Sequence, residues 1–337
     1  MRFIGVDLHT NSLTACYLSE ESNEEMRTFE LKQLHQFQAS LSASDQIAVE
    51  ATGNTRHFRA AIKSLVSRVV VVNPSQFEVI RKSVKKTDRH DARTLALFLS
   101  KDMLPESRLK GPAHAQLNSV AHTRDKLVKL RTTLINKIHA MHVACGIKSK
   151  KSSFSSRRGL QAALSRPWDE LTRAELGIIV SQIGSLNEGI KQLERQLIEH
   201  GQRLAGHRNL TSIKGIGDKS AAVLLSVIGD VSDFAGADKL ASYFGLVPRV
   251  ANSNETITHG HITKRGSKLG RTTLVQCTLI AVRYSSYLKK FYQRIKQKKG
   301  AGKAIIATAR KFLGIIYRTL KYNWVFADFP NFVLAED

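Results

Sequence analysis

The sequence has little cysteine, and its cysteines form no recognisable site. Cys16, Cys145 and Cys277 are the 3 cysteines among 337 residues, and they stand far apart without CxxC or Cys/His metal spacing. This spacing therefore indicates neither a structural zinc site nor a disulfide framework. We expect a reduced protein located in the cytoplasm.

Long apolar runs are also missing. No run approaches the roughly 18 apolar residues of a membrane-spanning helix, and the N-terminus lacks the apolar core of a signal peptide. The hydrophobic content of 42% is nevertheless ample for the cores of two or three domains. We expect a globular protein that has no membrane segment.

Acidic residues are scarce, and they are unevenly distributed. The chain has 52 Lys and Arg against 28 Asp and Glu, a formal net charge of +24. This excess predicts a polyanionic partner, for which nucleic acid is favoured over a membrane surface. The net charge is +3 in residues 1–110, +8 in residues 111–205 and +13 in the remainder, where Glu255 is the only carboxylate between Lys239 and Val325. The acids that can bind a metal are thus in the first third, and the phosphate-binding charge is in the last.

Short β-type runs and helical stretches alternate in the first 110 residues. The β-type runs lie at residues 2–8, 12–18, 26–31, 47–50 and 68–72. A helical stretch at about 56–66 separates the last two runs, and Thr87 is a good N-cap for a helix that begins with DRHDAR. This order predicts an α/β sheet that is buried on at least one face.

Helical spacing of apolar residues predominates beyond Gly111. We expect three domains, at residues 1–110, 111–205 and 206–330. In the middle domain, apolar residues recur at alternating steps of three and four: Leu176, Ile179, Ile183, Leu186, Ile190, Leu193 and Leu197. This pattern predicts a coiled coil, and pairing between chains as a homodimer or homotetramer is favoured over a helical hairpin within one chain.

Four carboxylates of the first domain can meet on one side of the sheet. Asp7 ends the first strand and Glu50 the fourth, and strand C-termini in an open α/β sheet converge on one rim. Asp88 and Asp91 stand three residues apart, so they share a face of their helix. Oxygen ligands without His or Cys fit Mg²⁺ or Mn²⁺, which can assist the cutting of a phosphodiester. Each acid taken singly also has a structural explanation, such as a turn cap or a helix-dipole partner.

Longer segments resemble a known family. IGVDLH, VEATGN and NPSQFEVIRKSVKKTDRHDARTLALF, in this order, resemble the DEDD, RuvC-like N-terminal domain of the IS110 family of insertion-sequence transposases. In the C-terminal half, IKGIGDKSAAVLLSVIGD, ADKLASYFGLVPRVANSN and HITKRGSKLGR resemble the second transposase domain of that family. The resemblance covers about residues 2–325. It implies a RuvC/RNase H-like N-terminal fold, a mainly α C-terminal domain and an activity in DNA recombination.

The resemblance also implies roles for particular residues. Asp7, Glu50, Asp88 and Asp91 would be the metal-binding DEDD set, and Ser253 would be the nucleophile that joins covalently to DNA. From the residues alone the nucleophile stays open, because other hydroxyls lie nearby: Ser242, Ser267, Thr256, Thr258, Thr263 and Tyr243. The implied partners are donor DNA, target DNA and a structured bridge RNA whose loops pair with both.

The basic C-terminal third offers several candidate phosphate contacts. Lys214, Gly215 and Gly217 precede an apolar helix, as in a helix-hairpin-helix motif, in which glycines let the backbone approach a phosphate. A glycine-rich turn between helices is the alternative. Cations that flank Ser253 can stabilise charge on a phosphate under attack: Arg249, Lys264, Arg265 and Arg271.

Residues 296–311 (KQKKGAGKAIIATARK) resemble a phosphate loop only superficially. They lack the spacing GxxxxGK[ST] and a preceding strand, so ATP binding is excluded. We expect a basic loop that leads into a helix along a nucleic-acid backbone. Nearby aromatics either stack on bases or, as is more frequent at helical spacing, belong to the core: Tyr284, Tyr287, Phe291, Tyr292 and Tyr317.

Three functions compete for this sequence. The first is a DNA recombinase that uses a metal and a serine, either a transposase or a site-specific invertase of the pilin-inversion type. The second is a hydrolytic RuvC-like nuclease, which needs the four acids but no nucleophilic serine. The third is a non-catalytic nucleic-acid-binding protein, which needs only the positive charge. The complete set of four acids disfavours the third.

Overall fold

The computed structural model describes residues 1–336 except 75, 78–86, 254 and 255, and the side chains of 250–259 also lie outside the described part. The chain divides into two compact units, Met1–Leu109 (unit 1) and Lys110–Asp337 (unit 2). The middle helices and the C-terminal helices both belong to unit 2.

Unit 1 is built on a mixed sheet. The described strands are β1 (Arg2–Leu8), β2 (Ser12–Ser19), β3 (Glu24–Glu30), β4 (Gln46–Glu50) and β5 (Arg68–Val72). Their order is β3-β2-β1-β4-β5, with β1 antiparallel to β2, β1 parallel to β4, and β4 parallel to β5. Because β1 and β4 run in the same direction, their C-terminal ends share one edge of the sheet. This mixed α/β sheet is consistent with the expected RuvC/RNase H-like fold.

Helices cover both faces of this sheet. The described helices of unit 1 are α1 (Leu34–Ala39), α2 (Thr55–Ile62) and α3 (Asp88–Ser100). Val69 and Val71 of β5 belong to the core beneath α1 and α2, whereas Val70 and Val72 belong to the core beneath α3. Burial on both faces explains why β5 has four consecutive valines after Arg68 and shows no alternation of apolar and polar residues.

Unit 2 is mainly helical. Its described helices are α4 (Pro112–Ala144), α5 (Arg157–Leu164), α6 (Glu170–Gln202), α7 (His207–Thr211), α8 (Asp218–Ile228), α9 (Ala237–Tyr243), α10 (Lys268–Tyr284) and α11 (Ser286–Lys321). Its described strands pair as two antiparallel hairpins, β6 (Pro248–Ser253) with β7 (Thr256–Ile262) and β8 (Phe326–Asp328) with β9 (Val333–Leu334). None of the described helices combines the length and the apolar composition needed to cross a bilayer.

The heptad residues of α6 pack within their own chain. Near one end of α6, Leu176 joins a core that contains Ile138 from the end of α4. Near the other end, Leu197 joins a core that contains Leu117 from the start of α4. The two helices therefore form an antiparallel pair, which is the alternative of a helical hairpin within one chain. Pairing of α6 between chains, as a homodimer or homotetramer, stays a prediction.

The long helix α11 consists of two helical arms that meet at Gly300, where φ is 78° and the backbone is not helical. The Lys311 Nζ atom lies 4.4 Å from the centre of the Tyr287 ring and 4.5 Å from that of Phe291. In one straight helix, residues separated by about 20 positions would lie roughly 30 Å apart, so the two arms must fold back on each other. Residues 296–303, at the reversal, are exposed and carry the four lysines that we name the basic tip: Lys296, Lys298, Lys299 and Lys303. The expected basic segment is thus a tight connection, with non-helical backbone at Gly300, that leads into the second helical arm.

The aromatic residues near this helix have different environments. Tyr317 is buried, and its hydroxyl donates a hydrogen bond to the carbonyl oxygen of Phe234 at 3.0 Å. It therefore belongs to the core, as the more frequent alternative predicts. Tyr284 is exposed, so its ring is accessible to a base, whereas the Tyr287 ring, although partly exposed, contacts Lys311 and Phe332.

Candidate active site

The strands β1 and β4 bring Asp7 and Glu50 to the same edge of the unit 1 sheet. Val6 pairs with Val49 in parallel register, so Asp7 and Glu50 are the next residues along the two strands. On its other side Asp7 lies opposite Thr14 of β2. The convergence of strand ends that the sequence predicts is present for these two acids.

The first turn of α3 supplies two further acids. The hydroxyl oxygen of Thr87 accepts a hydrogen bond from the backbone N–H of His90 at 3.2 Å, which makes Thr87 the N-cap, as predicted. Asp88 and Asp91 occupy the first turn, where the helix dipole favours negative charge. The side chain of Asp88 is exposed and Asp91 is buried.

Gly5 lets α3 lie directly on β1. A Cβ atom at this position would lie 1.9 Å from the carbonyl oxygen of Ala92 and 2.4 Å from the backbone nitrogen of Ala96. Gly5 is two residues from Asp7 on the same face of β1, and Ala92 directly follows Asp91. This close approach therefore sets the separation between the acids of α3 and the acid of β1. Gly5 is not among the residues predicted from the sequence, although a glycine inside a strand often marks close backbone approach.

His9 lies between two of the predicted ligands. Its Nε2 atom is 3.3 Å from Oδ2 of Asp7 and 3.3 Å from Oδ2 of Asp88. Possible ligand atoms of these three residues all lie within 4.8 Å of one another. Within the described part of the chain, Glu50 and Asp91 lie outside this group. The predicted ligand set did not include His9, although its position two residues after Asp7 already placed it near this rim.

A hydrogen-bonded loop after β4 connects the two strand ends. The Thr55 hydroxyl donates to the carbonyl oxygen of Glu50 at 2.8 Å, and the Thr52 N–H donates to Oγ1 of Thr55 at 2.8 Å. The side-chain amide of Asn54 donates to the carbonyl oxygen of His9 at 2.8 Å. The segment VEATGN thus positions the backbones of Glu50 and His9 together.

The electrostatics at this rim favour a bound cation. Burial raises the pKa of the Asp7 carboxyl above its usual value; His9 opposes this rise, and the charges of Asp88 and Asp91 add to it. A divalent cation would relieve this repulsion, and carboxylate oxygens are suitable ligands for Mg²⁺ or Mn²⁺. The donor set therefore fits a divalent metal.

Ser253 is the last residue of β6 and pairs with Thr256 of β7. Its backbone is described, but its side chain and the whole of residues 254 and 255 lie outside the described part. Ser253 therefore stands where the β6–β7 hairpin turns. Its role as nucleophile stays a prediction.

Two glycines allow close backbone contact at the base of the β6–β7 hairpin. Gly245 and Gly266 both have positive φ, and a Cβ on either would lie 2.0 Å from a backbone oxygen, of Arg265 and of Tyr243 respectively. The N–H of Lys264 donates to the carbonyl oxygen of Gly245 at 3.1 Å. The segments GLVPR and KRGSK are thus joined backbone to backbone, a feature that sequence analysis missed.

The four cations predicted around Ser253 differ in their surroundings. Arg249, Lys264 and Arg265 are exposed. Arg271 is half-buried, and its Nη1 donates to the carbonyl oxygens of Phe244 at 3.0 Å and Gly266 at 3.2 Å. Burial lowers the pKa of the Arg271 guanidinium. Arg271 thus holds the loop that carries Lys264 and Arg265, and phosphate binding by any of the four stays a prediction.

The glycine-rich turn between α7 and α8 packs against α10. Gly215 has a φ of +111°, and a Cβ there would lie 2.8 Å from the backbone nitrogen of Ala281 and 2.9 Å from the carbonyl oxygen of Cys277. Close packing inside the protein thus explains this glycine without a phosphate. Lys214 is exposed beside it, and Gly217 is the N-cap of α8. A helix-hairpin-helix contact with a phosphate stays a prediction.

Comparisons with known protein families match both units. Residues 4–144 match the family model DEDD_Tnp_IS110, which is described as a transposase. Residues 207–293 match the model described as Transposase IS116/IS110/IS902 family. The first match contains Asp7, Glu50, Asp88 and Asp91, and the second contains Ser253.

Similar proteins recombine DNA according to their names. The pilin gene-inverting protein of Moraxella lacunata is 30% identical over 95% of this chain and 96% of its own length. The transposase for insertion sequence element IS1111A of Coxiella burnetii is 26% identical over 81% of this chain and 77% of its own. A probable family 20 transposase of Pseudomonas aeruginosa is 25% identical over 81% of this chain and 83% of its own. This chain therefore belongs to the IS110 family of transposases and is an enzyme that recombines DNA.

Proposed function

We propose that this protein cuts and rejoins DNA through a covalent serine–DNA intermediate, assisted by a divalent metal, Mg²⁺ or Mn²⁺. In this proposal Asp7, Glu50, Asp88 and Asp91 hold the metal, and Ser253 is the nucleophile. The observation that carries the metal centre is the convergence of Asp7 and the first turn of α3 at one edge of the unit 1 sheet.

The side chains have separate tasks in the reaction. When bound, the metal supplies a Lewis acid that lowers the pKa of the attacking oxygen and neutralises charge on the phosphate. The Ser253 oxygen attacks phosphorus and loses its proton, the bond to the leaving DNA oxygen breaks, and a serine phosphodiester and a DNA hydroxyl result. A DNA hydroxyl then attacks this ester, which forms the new DNA linkage and returns a proton to the serine oxygen. Exposed cations such as Arg249 and Lys264 would stabilise the negative phosphate during both steps.

The division of charge along the chain supports cooperation between the acids and the serine. Glu255 is the only carboxylate between Lys239 and Val325, so the segment around Ser253 has no acid set that could hold a metal. A serine hydroxyl is a weak nucleophile until a base or a metal lowers its pKa. We propose that Ser253 reacts only with the metal held by a unit 1, from its own chain or from another copy in a homodimer or homotetramer.

Donor and target DNA are the proposed substrates, and a structured bridge RNA that pairs with both is the proposed guide. The net charge of +24 supports polyanionic partners. The basic tip and Lys214 are exposed and would contact phosphates. Sequencing the RNA that copurifies with the protein tests the guide: one structured RNA encoded beside the gene is expected, and a random sample of cellular RNA would contradict it.

A trapped protein–DNA adduct tests the serine mechanism. Protein with its copurifying RNA is incubated with end-labelled donor DNA and Mg²⁺, then denatured, and label that migrates with the protein is measured. We expect adduct from the wild type and from Ser242→Ala, which removes an exposed hydroxyl in the same unit. Ser253→Ala should bind RNA and DNA normally but give no adduct.

The same experiment separates the competing mechanisms. Metal-dependent cleavage without any adduct would identify a hydrolytic nuclease and contradict the proposal. An undiminished adduct from Ser253→Ala would place the nucleophile at another hydroxyl, with Tyr243 the next to be tested.

DNA inversion is a second candidate function. It is favoured by the similarity to the pilin gene-inverting protein of Moraxella lacunata, which extends over 95% of this chain. Inversion and transposition share the cutting and rejoining steps and differ in how the DNA sites are arranged. A plasmid with two sites in inverted orientation, compared with donor and target sites on separate molecules, would reveal which rearrangement this protein performs.

A further inference from the structure

We propose that His9 is a direct nitrogen ligand of the divalent metal in unit 1, which makes the site a mixed nitrogen–oxygen centre and not a purely carboxylate one. This inference rests on the proposed function, because it concerns the same metal. It adds a residue that the four-acid pattern does not contain.

The distances around His9 are compatible with a cation shared by its ring and the two carboxylates. The two contacts from Nε2, to Asp7 and to Asp88, are both 3.3 Å. Charge-assisted N–H···O hydrogen bonds are shorter, at about 2.7–2.9 Å. Two ligand atoms at right angles around a cation, each about 2.1 Å from it, lie about 3.0 Å apart. The observed separations exceed this value by only a few tenths of an ångström.

The backbone of His9 is held at both of its polar groups. Its N–H donates to the carbonyl oxygen of Ser12 at 2.9 Å, and its carbonyl oxygen accepts from the side chain of Asn54 at 2.8 Å. The ring is about half exposed, with a side-chain accessibility of 49%. A side chain that binds a cation at the edge of a sheet needs a fixed backbone and an accessible ring. His9 has both.

A nitrogen ligand would change which metals the site prefers. Mn²⁺ is a transition metal that binds sites of mixed nitrogen and oxygen ligands, although more weakly than the later metals of its row, whereas Mg²⁺ prefers oxygen ligands alone. We therefore expect the wild type to favour Mn²⁺ over Mg²⁺ more strongly than a variant without the imidazole. His9→Gln retains a polar side chain but removes the ring nitrogen.

Electron spin echo spectroscopy of the full-length protein loaded with Mn²⁺ alone tests this proposal, since it detects a ¹⁴N nucleus bound directly to the ion. The wild type should show the imidazole ¹⁴N signal, and His9→Gln and His9→Asn should bind Mn²⁺ but lose that signal. His35→Asn removes an exposed histidine of α1 in the same unit and should keep it. Asp7→Asn should lose Mn²⁺ binding itself.

The possible failures are distinguishable. Bound Mn²⁺ without a ¹⁴N signal in the wild type would overturn the role of His9 and leave the metal centre of the proposed function intact. The same applies if the signal persists in both His9 variants, because another histidine would then be its source. Absence of Mn²⁺ binding in the wild type would overturn the proposed metal centre, and the role of His9 with it.

Discussion

The two units of the chain use charged side chains in different ways. In unit 1, Asp7 and Asp88 lie close enough to share the imidazole of His9, and Asp91 is buried nearby. In unit 2, the basic tip of α11 spreads its charge over an exposed connection between two helical arms, in a segment of the chain, from Lys239 to Val325, where Glu255 is the only acid.

This difference predicts different sensitivities to substitution. Like charges gathered at a partly buried rim need a rigid scaffold and a counter-ion, so one change of geometry should abolish their use. The contribution of exposed cations to nucleic-acid binding depends mainly on how many of them contact phosphates. Removing one should therefore weaken binding only in part. The four predictions below test each side of this comparison, beginning with the largest expected effect.

Removing one carboxylate from the rim should have the largest effect. We expect Asp7→Asn to lower the rate of DNA cleavage by about 10³-fold or more, equivalent to about 4 kcal/mol of transition-state stabilisation. Its free energy of unfolding without metal should not fall, because the lost charge is the one that burial and the charges of Asp88 and Asp91 disfavour. Cleavage assays and denaturant unfolding measure the two quantities.

The matched control for this change is Glu20→Gln, in the turn that follows β2. Arg2 pairs with Ser19 and Leu8 pairs with Leu13, so this turn lies at the opposite end of the sheet from Asp7. Glu20→Gln should cleave DNA at the wild-type rate. Equal losses in the two variants would show that acidity in general, and not the rim, matters.

The apolar face of α6 that packs on α4 provides a test of burial within unit 2. Ile183 is 1% exposed, so Ile183→Asp buries an unpaired charge and should lower the free energy of unfolding by about 4 kcal/mol. Ile178→Asp, on the same helix but 65% exposed, should change it by less than about 0.5 kcal/mol. Denaturant unfolding of the whole chain provides both values. Similar small losses in both variants would mean that Ile183 is not packed within its own chain.

Gly5 provides a test of the close approach between α3 and β1. Because a Cβ would lie 1.9 Å from the carbonyl oxygen of Ala92, Gly5→Ala should lower the free energy of unfolding by about 3 kcal/mol and move α3 outward. The displacement should weaken Mn²⁺ binding as well. Gly177→Ala, on α6 of unit 2, is the control, since a Cβ there meets nothing within 4 Å. Wild-type Mn²⁺ affinity in a folded Gly5→Ala protein would disprove the link between this glycine and the metal site.

The basic tip should give the smallest and most graded effect. The variant replaces three of its lysines by Gln: Lys296, Lys298 and Lys299. If each of them contacts a phosphate, the slope of log K against log salt should decrease by about 0.9 per lysine, with wild-type stability. Titrations with the copurifying RNA and with duplex donor DNA, run in parallel, show which of the two the tip contacts.

A charge-matched control separates local contact from net charge. It replaces three exposed lysines of unit 1 by Gln: Lys32, Lys63 and Lys101. This control loses the same charge, and its slope of log K against log salt should stay close to that of the wild type. Identical slopes for the two triple variants would show that the tip has no special role.

Local structure and the rim of the sheet were predictable from the sequence, because they depend on neighbouring residues. Thr87 is the N-cap of α3, as predicted from its hydroxyl side chain and its position directly before the helix. The strand ends placed Asp7 and Glu50 on one edge, because parallel strands share a direction. The family resemblance, carried by long motifs in a fixed order, was confirmed by the matches to both units.

Contacts between residues distant in sequence could be settled only by the tertiary structure. A heptad seam buries its apolar residues equally well against another chain or against α4, and only the fold shows that α4 covers it. Gly215 suits a phosphate or a helix backbone, and the structure places α10 there. His9 approaches Asp88 because Gly5 allows α3 to lie on β1. Sequence periodicity determines which face of an element is buried, whereas the partner of that face depends on how all the elements fill the same space.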